Sequence, residues 1–153
     1  MKYVALPTED LSALWSGGND AYGNKAERVL SDGNGNPCRH CLRYVPKGMP
    51  MLIVAYRPFS GLHPYAETGP IFLCGAPCER GGGMTPPDVI RTSPDYLLKG
   101  YSPDERIVYG TGAVVRTDEI TDQVNKIFAN PRVSHIHVRS ARNNCYLLRI
   151  DQD

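Results

Sequence analysis

Two uninterrupted hydrophobic runs predict strands in the first half of the chain. Residues 51–56 (Met-Leu-Ile-Val-Ala-Tyr) lie between prolines at positions 50 and 58. An apolar run of this length, with no polar position, predicts a strand buried on both faces. Residues 70–74 form the second run, and their first residue, Pro70, stands where a strand can begin. We expect the two runs to be neighbouring strands, with 51–56 central in its sheet.

The second half of the chain alternates between strand and helix patterns. Residues 96–101 and 107–115 predict strands, the second of them bulged at its glycines. From 117 to 129 apolar side chains recur at helical spacing, behind an N-capping threonine and two acids in the first turn. An Asn-Pro pair then ends the helix. Residues 133–139 and 145–150 alternate between apolar and polar and predict a hairpin.

This pattern predicts an α+β fold with more strands than helices. We expect an antiparallel or mixed β-sheet with one main helix (117–129) packed on a face, and long irregular loops. Residues 26–30 form either a short strand or a helical turn. At 153 residues the chain has the length of one domain, so we assign 1–153 to a single domain. The loops at 57–69 and 75–94 are long enough to be candidates for function.

Composition and charge are those of an ordinary globular protein and narrow the choice of partners. Apolar residues make up 41% of the chain and charged residues 22%. A net charge of +1 supplies no field for nucleic acid, and no apolar stretch approaches the ~20 residues of a membrane span. We therefore expect neither partner. The N-terminus lacks the apolar core of a signal peptide, which favours a cytoplasmic location, where five cysteines are thiols or metal ligands rather than disulfides.

The segment 36–42 (Asn-Pro-Cys-Arg-His-Cys-Leu) is the densest candidate for chemistry. Its asparagine suits a helix N-cap and its proline the first helical position, so residues 37–43 are expected to form one short helical turn. Such a turn places Cys38 and Cys41 on one face. Because basic residues flank Cys38 in the first turn, its pKa should be lowered, which makes it the candidate nucleophile.

The same cysteines are candidate zinc ligands. Cys38 and Cys41 are followed by Cys74 and Cys78, so the chain holds two close pairs of thiols, a set suited to tetrahedral zinc. A zinc knuckle usually has glycine after its second cysteine, where this chain has Leu42. A thioredoxin-like site would need a strand before the motif and a long helix after it, and a nearby proline prevents that helix. In the remaining alternative the thiols are simply buried as small apolar groups.

Polar residues elsewhere add to these candidates. In a strand at 133–139, His135, His137 and Arg139 share one face. That face is either a site, in which His137 binds metal or acts as a base and Arg139 holds an anion, or the solvated side of an amphipathic strand. Glu67, in the first long loop, is either a general base or simply exposed.

Several motifs in this order resemble one known family. They are Pro-Cys-Arg-His-Cys-Leu at 37–42, residues 65–72 ending in Gly-Pro-Ile-Phe, Cys-Glu at 78–79, His-Val-Arg at 137–139 and Cys-Tyr at 145–146. Together they resemble the bacterial family catalogued as domain of unknown function 1203, over almost the whole chain. The resemblance implies a self-contained bacterial domain and brings no activity with it.

Three hypotheses remain open from the sequence. The first is a thiol-dependent enzyme acting on a small-molecule or anionic ligand. Its catalytic residues would be Cys38, Glu67, His137 and Arg139. The second is a zinc-binding structural or interaction domain without catalysis. Its ligands would be Cys38, Cys41 and Cys78, with His137, Cys74 or Cys145 as the fourth. The third is an interaction module without chemistry.

A functional site requires its residues to share one concavity. We therefore expect Cys38, Cys78 and His137 to lie in one pocket, with their side chains within about 10 Å of each other, a gap that a small ligand or metal ion can bridge.

Overall fold

Nine strands and two α-helices succeed one another in the computed structural model, which describes residues 1–152. In chain order they are β1 (Lys2–Val4), α1 (Thr8–Trp15), β2 (Glu27–Leu30), β3 (Pro50–Tyr56), β4 (Gly69–Cys74), β5 (Gly82–Gly83), β6 (Asp95–Tyr101), β7 (Ala113–Arg116), α2 (Ile120–Phe128), β8 (His135–Ser140) and β9 (Tyr146–Asp151). Short 3-10 turns lie at Asp88–Ile90 and Thr117–Glu119.

The strands form two antiparallel sheets. One has six strands in the order β5-β1-β9-β8-β6-β7, and the other has three in the order β2-β3-β4. The predicted neighbours β3 and β4 pair along six consecutive positions, from Met51 opposite Cys74 to Tyr56 opposite Gly69. The predicted final hairpin is the β8–β9 pair, with a bulge between Val138 and Arg139. The expected α+β fold is confirmed, with antiparallel strands.

Helix α2 packs on one face of the six-stranded sheet. Its Ile120, Val124 and Ile127 are buried together with Ile136 and Val138 of β8 in one apolar core. Each buried aliphatic side chain contributes about 1.5–3 kcal/mol, so this face holds the helix without a side-chain cap. The helix expected at 117–129 is confirmed as a 3-10 turn that runs into α2.

A second apolar core joins α1, the three-stranded sheet and β9. Leu11 and Leu14 of α1 pack with Leu52 of β3, Leu73 of β4 and Tyr146 of β9. Helix α1 was not predicted, because it has only eight residues and no side-chain cap that would indicate its start. Within the described residues, neither helix is both long and apolar enough to cross a membrane.

Two local expectations change in the structure. The strand predicted at 107–115 is interrupted: Ile107 only bridges to Tyr101, and β7 begins at Ala113. The cause is a turn at Gly110, whose φ of 90° lies in the left-handed region. Of the alternatives for 26–30, the strand is correct and forms β2 at the sheet edge.

A candidate metal centre of four cysteines

Four of the five cysteines meet at one point of the described structure. The Sγ atoms of Cys38, Cys41, Cys74 and Cys78 all lie within 4.8 Å of one another. Cys38 Sγ is 4.0 Å from Cys78 Sγ, and Cys41 Sγ is 3.9 Å from Cys74 Sγ. Zn–S bonds of about 2.3 Å place the sulfurs of a regular tetrahedron ~3.8 Å apart. The sulfurs are therefore spaced as ligands of a single metal ion and are too far apart for disulfides.

The first pair lies in a tight hairpin turn. The backbone N–H of Cys38 donates to Arg43 O over 2.9 Å, and that of Leu42 donates to Cys38 O over 3.0 Å. The residues that flank this turn pair as an antiparallel bridge. Of the helical turn expected at 37–43, the structure keeps the single i to i+4 bond from Leu42 to Cys38, and the bond from Cys38 to Arg43 closes the segment as a hairpin instead of a helix. Cys38 therefore does not lie in the first turn of a helix, the position on which its expected reactivity partly depended.

Leu42 explains how this turn forms without glycine. Its φ of 56° lies in the left-handed region, at a cost of about 1–2 kcal/mol for a residue with a Cβ. Its side chain is only 1% exposed and belongs to the core beneath α2, where burial contributes about 1.5–3 kcal/mol. The burial offsets the strain. Leucine at this position is thus compatible with a zinc-knuckle turn.

Strand β4 and the turn after it bring the second pair. Cys74 is the last residue of β4, and its backbone N–H donates to Cys38 Sγ over 3.3 Å. Phe72 and Cys38 form a parallel bridge, so β4 and the hairpin turn are joined through their backbones. The indole N–H of Trp15 donates to Cys74 O over 3.0 Å, which places the end of α1 over the cluster.

His40 supports Cys78 from outside the cluster. Its Nδ1 lies 3.2 Å from Cys78 Sγ and its Nε2 lies 2.9 Å from Thr8 Oγ1. Burial lowers the pKa of His40, so the ring is neutral and one nitrogen carries the proton. In the tautomer whose proton lies on Nδ1, the Thr8 hydroxyl donates to Nε2 and Nδ1–H donates to the sulfur, which would stabilise a thiolate there.

The four thiols compete for ionisation. Hydrogen bonds from Cys41 and Cys74 lower the pKa of Cys38, and the same bonds to Cys38 raise the pKa of both neighbours. Burial raises the pKa of Cys78 to about 12. Four thiolates within 4.8 Å would repel one another strongly. A divalent cation removes this obstacle, because a coordinating thiol is deprotonated outright.

His137, an expected ligand, is not among the atoms of this group. It lies in β8, and its ring centroid is 5.2 Å from that of Phe59, 4.4 Å from that of Tyr101 and 5.0 Å from that of Tyr146. Cys74 contributes the fourth sulfur of the cluster. Burial, followed by the positive charge of Arg139, holds the pKa of His137 well below its usual value.

The polar face of β8 is buried, so its interpretation as a solvated strand face was wrong. His135, His137 and Arg139 are 2%, 1% and 4% exposed. Residues of the loop between β3 and β4 contact this face: Phe59 packs on His137, and Glu67 Oε2 lies 2.8 Å from Arg139 Nη2. Lys99 Nζ lies 3.4 Å from the other carboxylate oxygen, so Glu67 is engaged in ion pairs.

The expected site residues thus meet as two groups, Cys38, Cys41 and Cys78 in the sulfur cluster and Glu67 with Arg139 on the face of β8. The fifth cysteine, Cys145, lines a cleft with Glu67 and Arg139 and takes no part in the four-sulfur cluster. The side chain of Arg39 connects the two regions, since its Nε donates to the carbonyl of Tyr146, the residue after Cys145, over 2.8 Å.

The family model described as protein of unknown function (DUF1203) matches residues 35–152. The chain belongs to this family, as its motifs indicated, and the matched range includes all four cysteines of the cluster. No curated protein and no solved structure matches the chain significantly.

Proposed function

We propose that the chain is a zinc-binding domain in which one zinc ion has a structural role. Its ligands are Cys38, Cys41, Cys74 and Cys78. The observation that carries this proposal is the approach of four sulfurs, from two separate segments, to within 4.8 Å of one another. Structural zinc sites have four protein ligands, whereas catalytic ones keep a position open for water or substrate.

The burial of Cys38 favours this function over a thiol-dependent enzyme. A nucleophilic cysteine has to be at least partly exposed, and Cys38 is 0% exposed. Its thiolate is stabilised by the neighbouring thiols, an arrangement that suits metal binding. We further infer a reducing location such as the cytoplasm, which would keep all four thiols available to the ion.

Metal content tests the proposal directly. We expect protein purified without a metal-affinity tag to contain close to one zinc per chain by inductively coupled plasma mass spectrometry. Cys41→Ser and Cys74→Ser should lose the zinc, because three thiolates hold it far less tightly. Cys145→Ser removes a cysteine outside the cluster and should keep the full content.

Thermal unfolding supplies a second readout. A strong chelator should lower the Tm of the wild type and of Cys145→Ser, but not that of metal-free Cys74→Ser. Four thiolates also suit iron, which would show as a coloured protein. Iron in place of zinc, equal zinc loss in Cys145→Ser, or a metal-free wild type with a chelator-independent Tm would each contradict the proposal.

A further inference from the structure

A second feature, a cleft of about 450 Å³, lies apart from the four cysteines, none of which lines it. Phe59, His137 and Tyr146 form part of its lining, together with three arginines at positions 57, 80 and 149. Its volume falls within the range of small-molecule sites, and it combines aromatic surface with a few convergent polar groups, as such sites do.

His137 is a buried polar group of this cleft without a partner. The residue is 1% exposed, and its Nδ1 has no hydrogen-bond partner within residues 1–152. Buried polar atoms in native proteins are paired in the great majority of cases, so an orphaned one in a cleft indicates a missing partner.

Arg57 is the second group that lacks a partner. Within the described residues it forms no ion pair, and its Nε is buried without a hydrogen bond. Arg80 donates to Leu6 O over 3.0 Å and to Ala5 O over 2.7 Å, which holds its guanidinium at the cleft.

The acids of the cleft are already engaged. Asp10 accepts a hydrogen bond from the Tyr56 hydroxyl over 2.9 Å, and Asp151 pairs with Arg149. Glu105 accepts hydrogen bonds from the backbone and side chain of Ser60. Hydrogen bonds from neutral groups leave the charges of Asp10 and Glu105 in place, so the lining carries three arginines and three acids. Within the described residues, Arg57 and Arg80 are the arginines of the cleft without an ion pair, and Arg57 is the one whose guanidinium has no hydrogen bond either.

We propose that this cleft binds a small organic anion. Its carboxylate or phosphate group pairs with Arg57, because a guanidinium presents a planar fork of donors that matches either group. Its carbon skeleton lies against Phe59 and Tyr146. This site is independent of the zinc centre and adds a ligand-binding role to the domain.

Two probes separate the chemistry of the anionic group from that of the skeleton. Benzoate and inorganic phosphate are titrated separately into zinc-loaded, ¹⁵N-labelled protein at constant ionic strength, and amide shifts are followed by NMR. We expect saturable shifts at residues of the cleft for at least one probe. Binding of benzoate alone would show that the skeleton contributes, and binding of phosphate alone would show a phosphate site.

Arginine variants test the assignment. Arg57→Gln should weaken binding by roughly tenfold, the loss expected for one charged hydrogen-bonding group. Arg149→Gln, which removes a second lining arginine, should weaken it less, because Arg149 is already paired with Asp151. Arg132→Gln is the control, since Arg132 is exposed and does not line the cleft.

The absence of saturable binding for both probes would overturn the proposal, as would equal weakening by Arg57→Gln and Arg132→Gln. Zinc content is measured on every sample, so a failure here is distinct from a failure of the zinc proposal.

Discussion

At the residue scale, Arg39 and His40, which lie between Cys38 and Cys41, have different roles at the cluster. Arg39 is 4% exposed, and it donates to Pro37 O over 2.6 Å and lies 5.6 Å above the ring of Phe72. Burial lowers the pKa of Arg39 to about 10, so it stays charged at neutral pH. With the proposed divalent ion bound, four thiolates would leave two net negative charges, which Arg39 would partly offset, while the neutral His40 would supply a hydrogen bond to Cys78.

Substitution of His40 tests the hydrogen bond to Cys78. We expect His40→Ala to weaken zinc binding by about 10–100-fold, the usual effect of losing a group that orients a metal ligand. His40→Asn is the matched variant, because the amide nitrogen of asparagine can take the place of Nδ1 and should retain most of the affinity. Competition with a chromophoric chelator measures both constants.

The comparison of His40→Ala with His40→Asn shows how His40 affects zinc affinity. If alanine and asparagine weaken zinc binding equally, the imidazole acts through packing against Trp15, whose ring lies 5.3 Å away, and not through its bond to Cys78. If neither variant differs from the wild type, His40 has no part in holding the metal.

At the element scale, the predictable elements are those whose side chains follow a pattern of apolar and polar positions. The continuous run of β3 and the helical spacing of α2 were sufficient to predict both elements. Strand β5 consists of two glycines, Gly82 and Gly83, which pair with β1 through the backbone alone, so no side-chain pattern exists to predict it. Elements of this kind depend on long-range partners.

The candidate site was predictable to a similar extent. The spacing of the cysteines indicated two pairs of thiols, but it could not decide between Cys74 and His137 as the fourth ligand. That choice depends on where β8 lies relative to β4. Alternation along β8 also could not show that the loop bearing Phe59 covers its polar face, because a covered and a solvated face have the same pattern.

The buried histidines of β8 make the stability of the fold depend on pH. Burial and then the charge of Arg149 lower the pKa of His135 to about 4, against 6.5 in the unfolded chain. Between these values the unfolded state takes up a proton that the folded state does not. The contribution of His135 to the free energy of unfolding is therefore fully present above pH about 6.5. It falls by up to about 3 kcal/mol as the pH decreases towards 4.

Replacement of His135 tests whether this histidine causes the pH dependence of stability. His135→Phe keeps the stacking on Tyr101, whose ring centroid is 5.5 Å away, and removes the titrating group. Urea unfolding at pH 7 and pH 5 should show a smaller loss of stability for the variant than for the wild type. Acid also weakens zinc binding, but in both proteins alike, so the difference between them isolates the histidine. Identical pH dependence in the two proteins would assign the effect elsewhere.

At the scale of the whole molecule, the cysteine cluster stands where the two sheets are joined. Cys74 ends β4 of the three-stranded sheet, and the chain continues through Cys78 to β5 at the edge of the six-stranded sheet. Backbone bonds from Leu6 to Arg39 O (3.1 Å) and from Gly81 to His40 O (2.8 Å) attach the same turn to segments next to β1 and β5. A bound ion would therefore hold the interface between the sheets, whereas the core beneath α2 depends on aliphatic packing.

Hydrogen exchange can show whether the junction of the two sheets depends on the metal ion while the core beneath α2 does not. We expect removal of zinc by a chelator to speed exchange at amides of the cluster, above all those of Leu6, Leu42 and Gly81, which donate hydrogen bonds within or beside the hairpin turn. Exchange in α2 should change much less, because its nearest backbone neighbours are β6, β7 and the adjoining 3-10 turn, and Leu42 is the residue of the cysteine turn that reaches the core beneath it. Mass spectrometry of peptic fragments resolves the two regions.

The pattern of exchange decides between two roles for the ion. Acceleration confined to the junction means that zinc secures the contact of the sheets while each core retains its own stability. Equal acceleration in α2 would mean that the domain unfolds as one cooperative unit when the metal leaves, and would contradict the division proposed here. Cys145→Ser, treated with the same chelator, should reproduce the wild-type pattern, because its missing thiol lies outside the cluster.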